Sequence, residues 1–337
     1  MIRIIELKIM LEVSIIIPSR KINAFIIKKI IPALKKLTYK KFELIIVIDK
    51  SKKKYLFPSF VKEVSLNKLV NPADKRDLGA KIAKGNILAF IDDDVYPHKD
   101  WLTNAVKLLG NKEIAAVCGP GVTPNSDNFK EKVSGWVWSS WIGAGGAGVY
   151  RCQPGKKRLV DDYPTFNLIV HKKDFEKIGG FKTRFWPGED TKLCHDLVYK
   201  LGKKIIYDPT VLVYHHRRKI FIPHLRQISR FGLHRGYFVK ILPKTSLKIG
   251  YLVPSFFLLF IVFTPFLYLL LKLQIVIFFY IYIIVLYFLL IFTTSFYFFI
   301  QKRGIKLSLL FIPAIILTHL VYAAYFIKGL MSRNLKN

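Results

Sequence analysis

Acidic residues are scarce in this chain, and none occurs after Asp208. The 337 residues hold 22 Asp and Glu against 54 Lys and Arg, a formal charge of +32. Cysteine is scarcer still. Cys118, Cys152 and Cys194 are scattered and odd in number, which excludes a disulfide scaffold and fits a reducing compartment. No G-x-G-x-x-G follows the first apolar strand, so a dinucleotide-binding domain is disfavoured. Glu6 and Glu12 interrupt the N-terminal apolar stretch and no small-residue cleavage site follows, so a signal peptide is not expected and the large domain should stay where it is made. What is abundant is apolar: 52% hydrophobic and 15% aromatic residues exclude a disordered chain. A mean hydropathy of +0.30 beside so much charge means that the two are segregated along the sequence.

The segregation is plain. All 22 acids and 38 of the basic residues lie in the first 208 positions. The last 129 residues carry 16 basic residues, nine of them between Arg217 and Lys248. Beyond Lys248 come three apolar runs, 251–271, 275–300 and 305–327, each near the roughly 20 residues that cross a bilayer core. The basic belt before them places the large domain in the cytoplasm. Three full spans would put the tail, with Lys328, Arg333 and Lys336, outside, against the positive-inside tendency; Pro254 and Pro265 mark the first run as the one to be re-entrant or interfacial. Residues 220–242 have helical length, with Arg226, Arg230 and His234 on one face. Next to apolar spans, that stripe favours anionic lipid headgroups over nucleic acid.

The first two hundred residues alternate short β-branched runs with lysine-rich helical stretches. Val13–Ile17 ends in Pro18, Leu44–Ile48 in Asp49, and Ile87–Ile91 in Asp92-Asp93-Asp94; helices are expected around 24–37 and 74–84. Continuous apolar strands separated by helices indicate a parallel α/β sheet. In such sheets ligands bind beyond the carboxyl ends of the strands, where Pro18-Ser19-Arg20, Asp49 and Asp92–Asp94 all fall. Three adjacent aspartates repel one another; a divalent cation removes that cost, and their hard oxygens suit Mg²⁺ or Mn²⁺. A loop or a helix cap is the plainer alternative. Glu189-Asp190, after Trp186-Pro187-Gly188, reads as a general base at a helix start or as simple capping. His215 and His216 close an apolar strand and are candidate metal ligands. Trp136–Gly148, with three tryptophans and several glycines, reads equally as a mobile aromatic loop and as a core segment, while Asp161–Asn167 is assigned to the acceptor side.

Taken in order, the fragments Val13–Pro18, Glu43–Asp49, Arg76-Asp77-Leu78-Gly79-Ala80, Gly85–Asp94, Gly179-Gly180-Phe181 and Gly188-Glu189-Asp190 resemble glycosyltransferase family 2, over about residues 13–248. The resemblance implies a GT-A-type, mostly parallel sheet flanked by helices, a nucleotide-diphosphate sugar donor and inversion at the anomeric carbon. It implies that Pro18, Ser19, Arg20, Asp49, Arg76, Gly79, Asp92 and Asp93 hold the nucleotide, that Asp92 and Asp94 with His215 or His216 hold the metal, and that Asp190, beside Glu189, is the base. Two departures stand out: Asp49-Lys50-Ser51 where two acids and Gly-Ser are common, and Arg20 where Tyr or Asn is frequent. Gln227-Ile228-Ser229-Arg230-Phe231 is similar to the Q-x-x-R-W motif of processive members, with Phe231 for Trp. Gln227, Arg230 and Trp186 are therefore candidates for acceptor or phosphate contacts.

The expected organisation is a cytosolic GT-A domain over 1–215, a basic amphipathic interfacial segment over 216–248, membrane helices within 249–328 and a tail over 329–337. The expected activity is transfer of one sugar to a lipid-linked or surface-glycan acceptor at the cytoplasmic face of the plasma membrane. A processive polysaccharide synthase and a non-catalytic membrane scaffold are the alternatives. Nucleic acid is not an expected partner.

Overall fold

A computed structural model describes residues 12–50, 55–182, 185 and 187–335. The chain divides into two compact units. The first comprises residues 1–119, 157–184 and 189–213, and the second residues 120–156, 185–188 and 214–337.

The first unit is built on an eight-stranded sheet. Its strands in chain order are β1 (Val13–Pro18), β2 (Phe42–Ile48), β3 (Val61–Ser65), β4 (Ile87–Phe90), β5 (Ile114–Cys118), β6 (Arg158–Val160), β7 (Leu168–His171) and β8 (Lys204–Tyr207). In space they run β3-β2-β1-β4-β7-β5-β8-β6. Neighbours among β3, β2, β1 and β4 are parallel, as are β5 and β8; β7 is antiparallel to both β4 and β5, and β6 to β8. Every residue of β1, β4 and β5 is buried, as uninterrupted apolar strands covered on both faces require. Ile15, Ile16 and Ile17 are fully buried, and each such side chain contributes about 1.5–3 kcal/mol relative to exposure.

The helices that matter below are, in chain order, α1 (Pro72–Ile82), α2 (Trp101–Leu109), α3 (Phe129–Ser139), α4 (Trp141–Cys152), α5 (Glu189–His195), α6 (Ile222–Ile241), α7 (Ile249–Leu271), α8 (Gln274–Phe298) and α9 (Ile305–Met331). Asn71 caps α1 by accepting from the Asp74 N–H, and Pro72 follows at the first helical position. Helix α1 lies very close to β1. A Cβ on Gly79 would sit 2.6 Å from Ile16 Cγ2. Lys75 and Arg76, four and three residues earlier, share that inward face.

The second unit is mostly helical. The segment around Trp136–Gly148, open between loop and core in the sequence, forms the end of α3 and most of α4. Asn128 and Glu131 cap α3 with a reciprocal capping box, and Gly145, at φ +59°, breaks α4. Ser140 ends α3 and caps α4 by accepting from Gly143 N–H. Helix α6 packs along α9 through glycines on both sides. A Cβ on Gly236 would lie 2.0 Å from Phe326 O, and one on Gly329 1.9 Å from Leu233 O. Close backbone approach of this kind needs residues without side chains.

Three helices of this unit are long and apolar enough to cross a membrane: Ile249–Leu271, Gln274–Gln301 and Ile305–Met331. The chain therefore carries a membrane-associating region. Pro254 and Pro265 lie inside the continuous helix α7 rather than ending it. The first two long helices bury little of themselves within the protein, while the third buries far more.

Candidate active site

The site grows from the carboxyl ends of β1, β2 and β4. Where each strand stops, its next residues carry polar groups: Ser19 after β1, Asp49 after β2, and Asp92-Asp93-Asp94 shortly after β4. Helix α1 delivers two cations to this edge. Lys75 Nζ lies 2.8 Å from Asp49 Oδ1 and donates to Ser19 O at 2.6 Å. Arg76 donates through Nη2 to Asp92 Oδ1 at 2.6 Å and through Nη1 to Glu189 Oε1 at 3.0 Å. Ser19 Oγ donates to Asp93 Oδ2 at 2.5 Å. Asp49 Oδ1 also accepts from the Val70 N–H at 3.0 Å.

The electrostatics follow from burial. Lys75 and Arg76 are nearly inaccessible, as are Asp49 and Glu189. Burial pushes Glu189 above the usual carboxylate range, against the pull of Arg76. Burial also works against the Arg76 charge, but Asp92 and Glu189 together outweigh it and raise its pKa. Arg76 further lies over the Phe181 ring, 5.8 Å from its centroid. Phe181 is placed by a glycine turn: Gly180, at φ +69°, lets the Phe181 N–H donate to Asp77 Oδ1 at 2.8 Å, where a Cβ on Gly180 would meet the same oxygen at 2.6 Å. Burial drives Asp77 up to about 6.

Glu189 and Asp190 open helix α5. Glu189 points into the buried pair with Arg76. Asp190 is half-buried, and its Oδ1 accepts from the Thr191 N–H at 2.8 Å, which fixes the carboxylate at the helix start. Thr191 Oγ1 in turn donates to Asp162 Oδ1 at 2.9 Å.

The structure thus gathers Ser19, Asp49, Arg76, Asp92, Asp93 and Glu189 into one network of the first unit. Pro18 is the buried last residue of β1, Arg20 is exposed, and Gly79 is taken up by contact with Ile16. His215 and His216 belong to the second unit. There Arg217 Nη1 lies 3.2 Å from His215 Nδ1, and His216 Nδ1 lies 2.5 Å from Asp127 Oδ1. Asp127, Glu131 and His216 bring three possible ligand atoms within 4.8 Å of one another. On α6, Gln227 is half-buried and Arg230 exposed. Trp186 lies outside the described residues. Asp161–Asn167 is largely a polar core: Asn167 is wholly buried, its amide donates to Gly119 O and Val211 O, and its oxygen accepts from Trp101 Nε1.

Lys75 is a network member that sequence reasoning missed. Its only signal was position, next to Arg76 at the start of a capped helix. The residues present fit a divalent cation. Asp92, Asp93 and Asp94 are half-buried at the strand end and carry hard carboxylate oxygens of the kind Mg²⁺ and Mn²⁺ take.

Residues 14–179 match the sequence model of "Glycosyl transferase family 2". Pre-mycofactocin glycosyltransferases from two strains of Mycobacterium tuberculosis are 26% identical over 148 residues, covering 44% of this chain and 30% of theirs. The chain thus spans about a third of the length of these curated relatives. Among solved structures, a mannosyltransferase from Pyrobaculum calidifontis in complex with GDP-Man and Mn²⁺ aligns with a TM-score of 0.50 at 19% identity, over 69% of this chain and 64% of that one. GalNAc-T7 with UDP, GalNAc and Mn²⁺ aligns with a TM-score of 0.50 at 15% identity, over 72% and 52%. At such identities the likeness shows the fold, a mostly parallel sheet with flanking helices shared with these glycosyltransferases. Residues 14–179, which carry the strand-end aspartates, thus form a glycosyl transferase family 2 domain within this chain.

Proposed function

We propose that the chain is a membrane-bound inverting glycosyltransferase that moves one sugar from a nucleotide-diphosphate sugar to a lipid-linked or surface-glycan acceptor. The carrying observation is the buried network at the ends of β1, β2 and β4, with Glu189-Asp190 at the start of α5 in the same compact unit. Ser19, Asp49 and Lys75 form the nucleoside end. Asp92 and Asp94 hold a divalent cation, Mg²⁺ or Mn²⁺, which when bound stabilises the charge on the departing diphosphate. Arg76 fixes the orientation of Asp92 and, through Glu189, the entry to α5.

Asp190 accepts the proton of the acceptor hydroxyl as its oxygen bonds to the anomeric carbon. The bond from that carbon to the diphosphate breaks in the same in-line step, and the nucleoside diphosphate leaves. One base and one displacement suffice, unlike the paired carboxylates of a hydrolase. The three long apolar helices and the basic belt support catalysis at the cytoplasmic face of the plasma membrane, with Arg226 and Arg230 on anionic headgroups.

The test is thermal stabilisation of the detergent-solubilised protein by UDP, GDP, CDP and dTDP, with and without Mn²⁺. One nucleotide should give a metal-dependent shift, and Asp94→Asn should remove it. Asp190→Asn should keep the shift and lower turnover by about 10²–10⁴-fold. A folded protein that answers no nucleotide overturns the reading; normal turnover by Asp190→Asn overturns the base assignment.

A further inference from the structure

The second unit contains an open cleft of about 830 Å³, within the range of small-molecule sites. Its two walls differ in chemistry. One comes from α3, α4 and their flanks, with Lys132, Trp136, Trp141 and Gln153. The other comes from α8 and the start of α9, with Leu290, Thr293, Tyr297 and Leu307. Trp136 stacks on Phe298 across the cleft, 4.9 Å between centroids and 27° between planes, and so closes one end with aromatic surface. Trp141 is 72% exposed at the start of α4. Helix α8 is one of the two long helices that bury little of themselves, so the wall it supplies continues into surface suited to hydrocarbon.

The walls select an amphiphile. A water-soluble sugar nucleotide has no use for Leu290 and Leu307, and a wholly apolar molecule has none for Lys132 and Gln153. Lys132 is the single charged residue among those lining the cleft, and no acid accompanies it. That makes the polar end complementary to an anion, and a phosphate is the anion that a lipid head carries. Thr293 and Thr294 satisfy their hydroxyls on carbonyls of their own helix, Leu289 O and Leu290 O, so the α8 wall presents mainly apolar surface.

We infer that this cleft binds the lipid-phosphate end of the acceptor, with the hydrocarbon chain along Leu290, Tyr297 and Leu307 and the phosphate at Lys132. This rests on the glycosyltransferase reading for the word acceptor, and the experiment keeps the two apart. The full chain in detergent is cross-linked with a diazirine-bearing farnesyl phosphate, and the labelled peptides are mapped by mass spectrometry. Unlabelled farnesyl phosphate, farnesol, inorganic phosphate and phosphatidylglycerol serve as competitors. Label should concentrate on peptides from residues 132–153 and 290–307, and farnesyl phosphate should compete at least about tenfold better than farnesol or phosphatidylglycerol.

Lys132→Gln should weaken labelling by about tenfold or more, since it removes a charge-assisted bond. Leu290→Trp, which fills the apolar wall, should do the same; Ser139→Trp fills the opposite wall if the first variant fails to fold. In each, the metal-dependent nucleotide shift should persist, which reports both the fold and the donor site. Label spread evenly over α7 and α8, or equal competition by phosphatidylglycerol, would assign the cleft to bulk membrane lipid and overturn the proposal. Unchanged labelling in Lys132→Gln would overturn the phosphate assignment. A wild type that labels as expected yet answers no nucleotide would leave the lipid cleft standing and remove the glycosyltransferase reading alone.

Discussion

The two units pair their cations in different ways. In the first, cations meet carboxylates: Arg76 joins Asp92 and Glu189, Lys75 meets Asp49, and Lys203 meets Asp174. In the second, Asp127 and Glu131 are the only acids in the sequence, and cations lie over aromatic rings. Arg235 sits 4.3 Å from the Tyr251 ring centroid, Lys240 5.2 Å from Tyr237 and Lys306 5.0 Å from Phe129. A ring face attracts a cation without bringing a second charge that must be desolvated. Buried polar groups there include Asp127, beside His216, and the imidazole and hydroxyls of the chain Ser134–His224–Thr318, with contacts of 2.8 and 2.9 Å. Carboxylates are concentrated in the first unit, at the strand ends among other places, while the unit that carries the membrane helices is basic and has two acids in its sequence.

The largest expected effect tests the first half of that contrast. Arg76→Met should leave Glu189 and Asp92 without their shared cation, at a cost of about 3–5 kcal/mol. Hydrogen exchange confined to the first unit, or denaturant unfolding, would measure it. Adding Glu189→Gln should recover part of the loss, because a neutral amide is far cheaper to bury than a lone carboxylate. A loss under 1 kcal/mol, or no recovery, would mean that the cluster is held by its surroundings rather than by charge pairing.

The second half has an acid limit. His224 is buried, and burial lowers it to about 4 from its ordinary 6.5. The folded state therefore holds the neutral ring, one nitrogen donating and the other accepting between Ser134 and Thr318. Above pH 6.5 both states are neutral and the group contributes no pH dependence. As pH falls from 6.5 to 4 the unfolded chain takes up a proton that the folded one refuses, so stability falls, by about 3 kcal/mol at the lower end. Exchange protection in α3, α6 and the middle of α9 should drop over that window and not above it. A window that does not move in His224→Gln would assign the acid sensitivity elsewhere.

Much of this was legible in the sequence, for physical reasons that also mark where legibility ended. The strand expectations Val13–Ile17, Leu44–Ile48 and Ile87–Ile91 differ from the observed ends by one or two residues, because strands buried on both faces are written as unbroken apolar runs. The long helices were equally readable from length and hydropathy. Of the site, Asp49, Asp92, Asp93 and Glu189 could be named because carboxylates beyond apolar strands are conspicuous. Lys75 could not: in a lysine-rich helix every lysine reads as solvated, and only the close approach of α1 at Gly79 turns this one inward. Asn167 was assigned to the acceptor side, but its amide is consumed by Gly119 O and Val211 O, contacts from distant parts of the chain. The 136–148 segment stayed open because five of the residues from Gly135 to Gly148 are glycine, which hides its helical pattern until the break at Gly145 is seen.

The smallest expected effect has the opposite sign in pH and returns to the first unit. Asp77 accepts the Phe181 N–H, yet burial outweighs that bond and lifts its pKa to about 6 from 3.8. Between those values the folded state holds a proton that the unfolded chain has released, so stability falls as pH rises through the window, and the cost is complete above about 6. Asp77 is partly exposed, so screening trims that cost to about 1 kcal/mol. Asp77→Asn keeps an oxygen for the Phe181 N–H and removes the charge. It should stabilise the first unit by about 1 kcal/mol at pH 8 and make no difference below the unfolded value, where aspartic acid is neutral in both states. Acid should thus loosen the second unit at His224 while sparing the first at Asp77, and exchange measured on both units in one sample decides it. Parallel loss of protection in the two units over pH 6.5 to 4 would break the contrast between them.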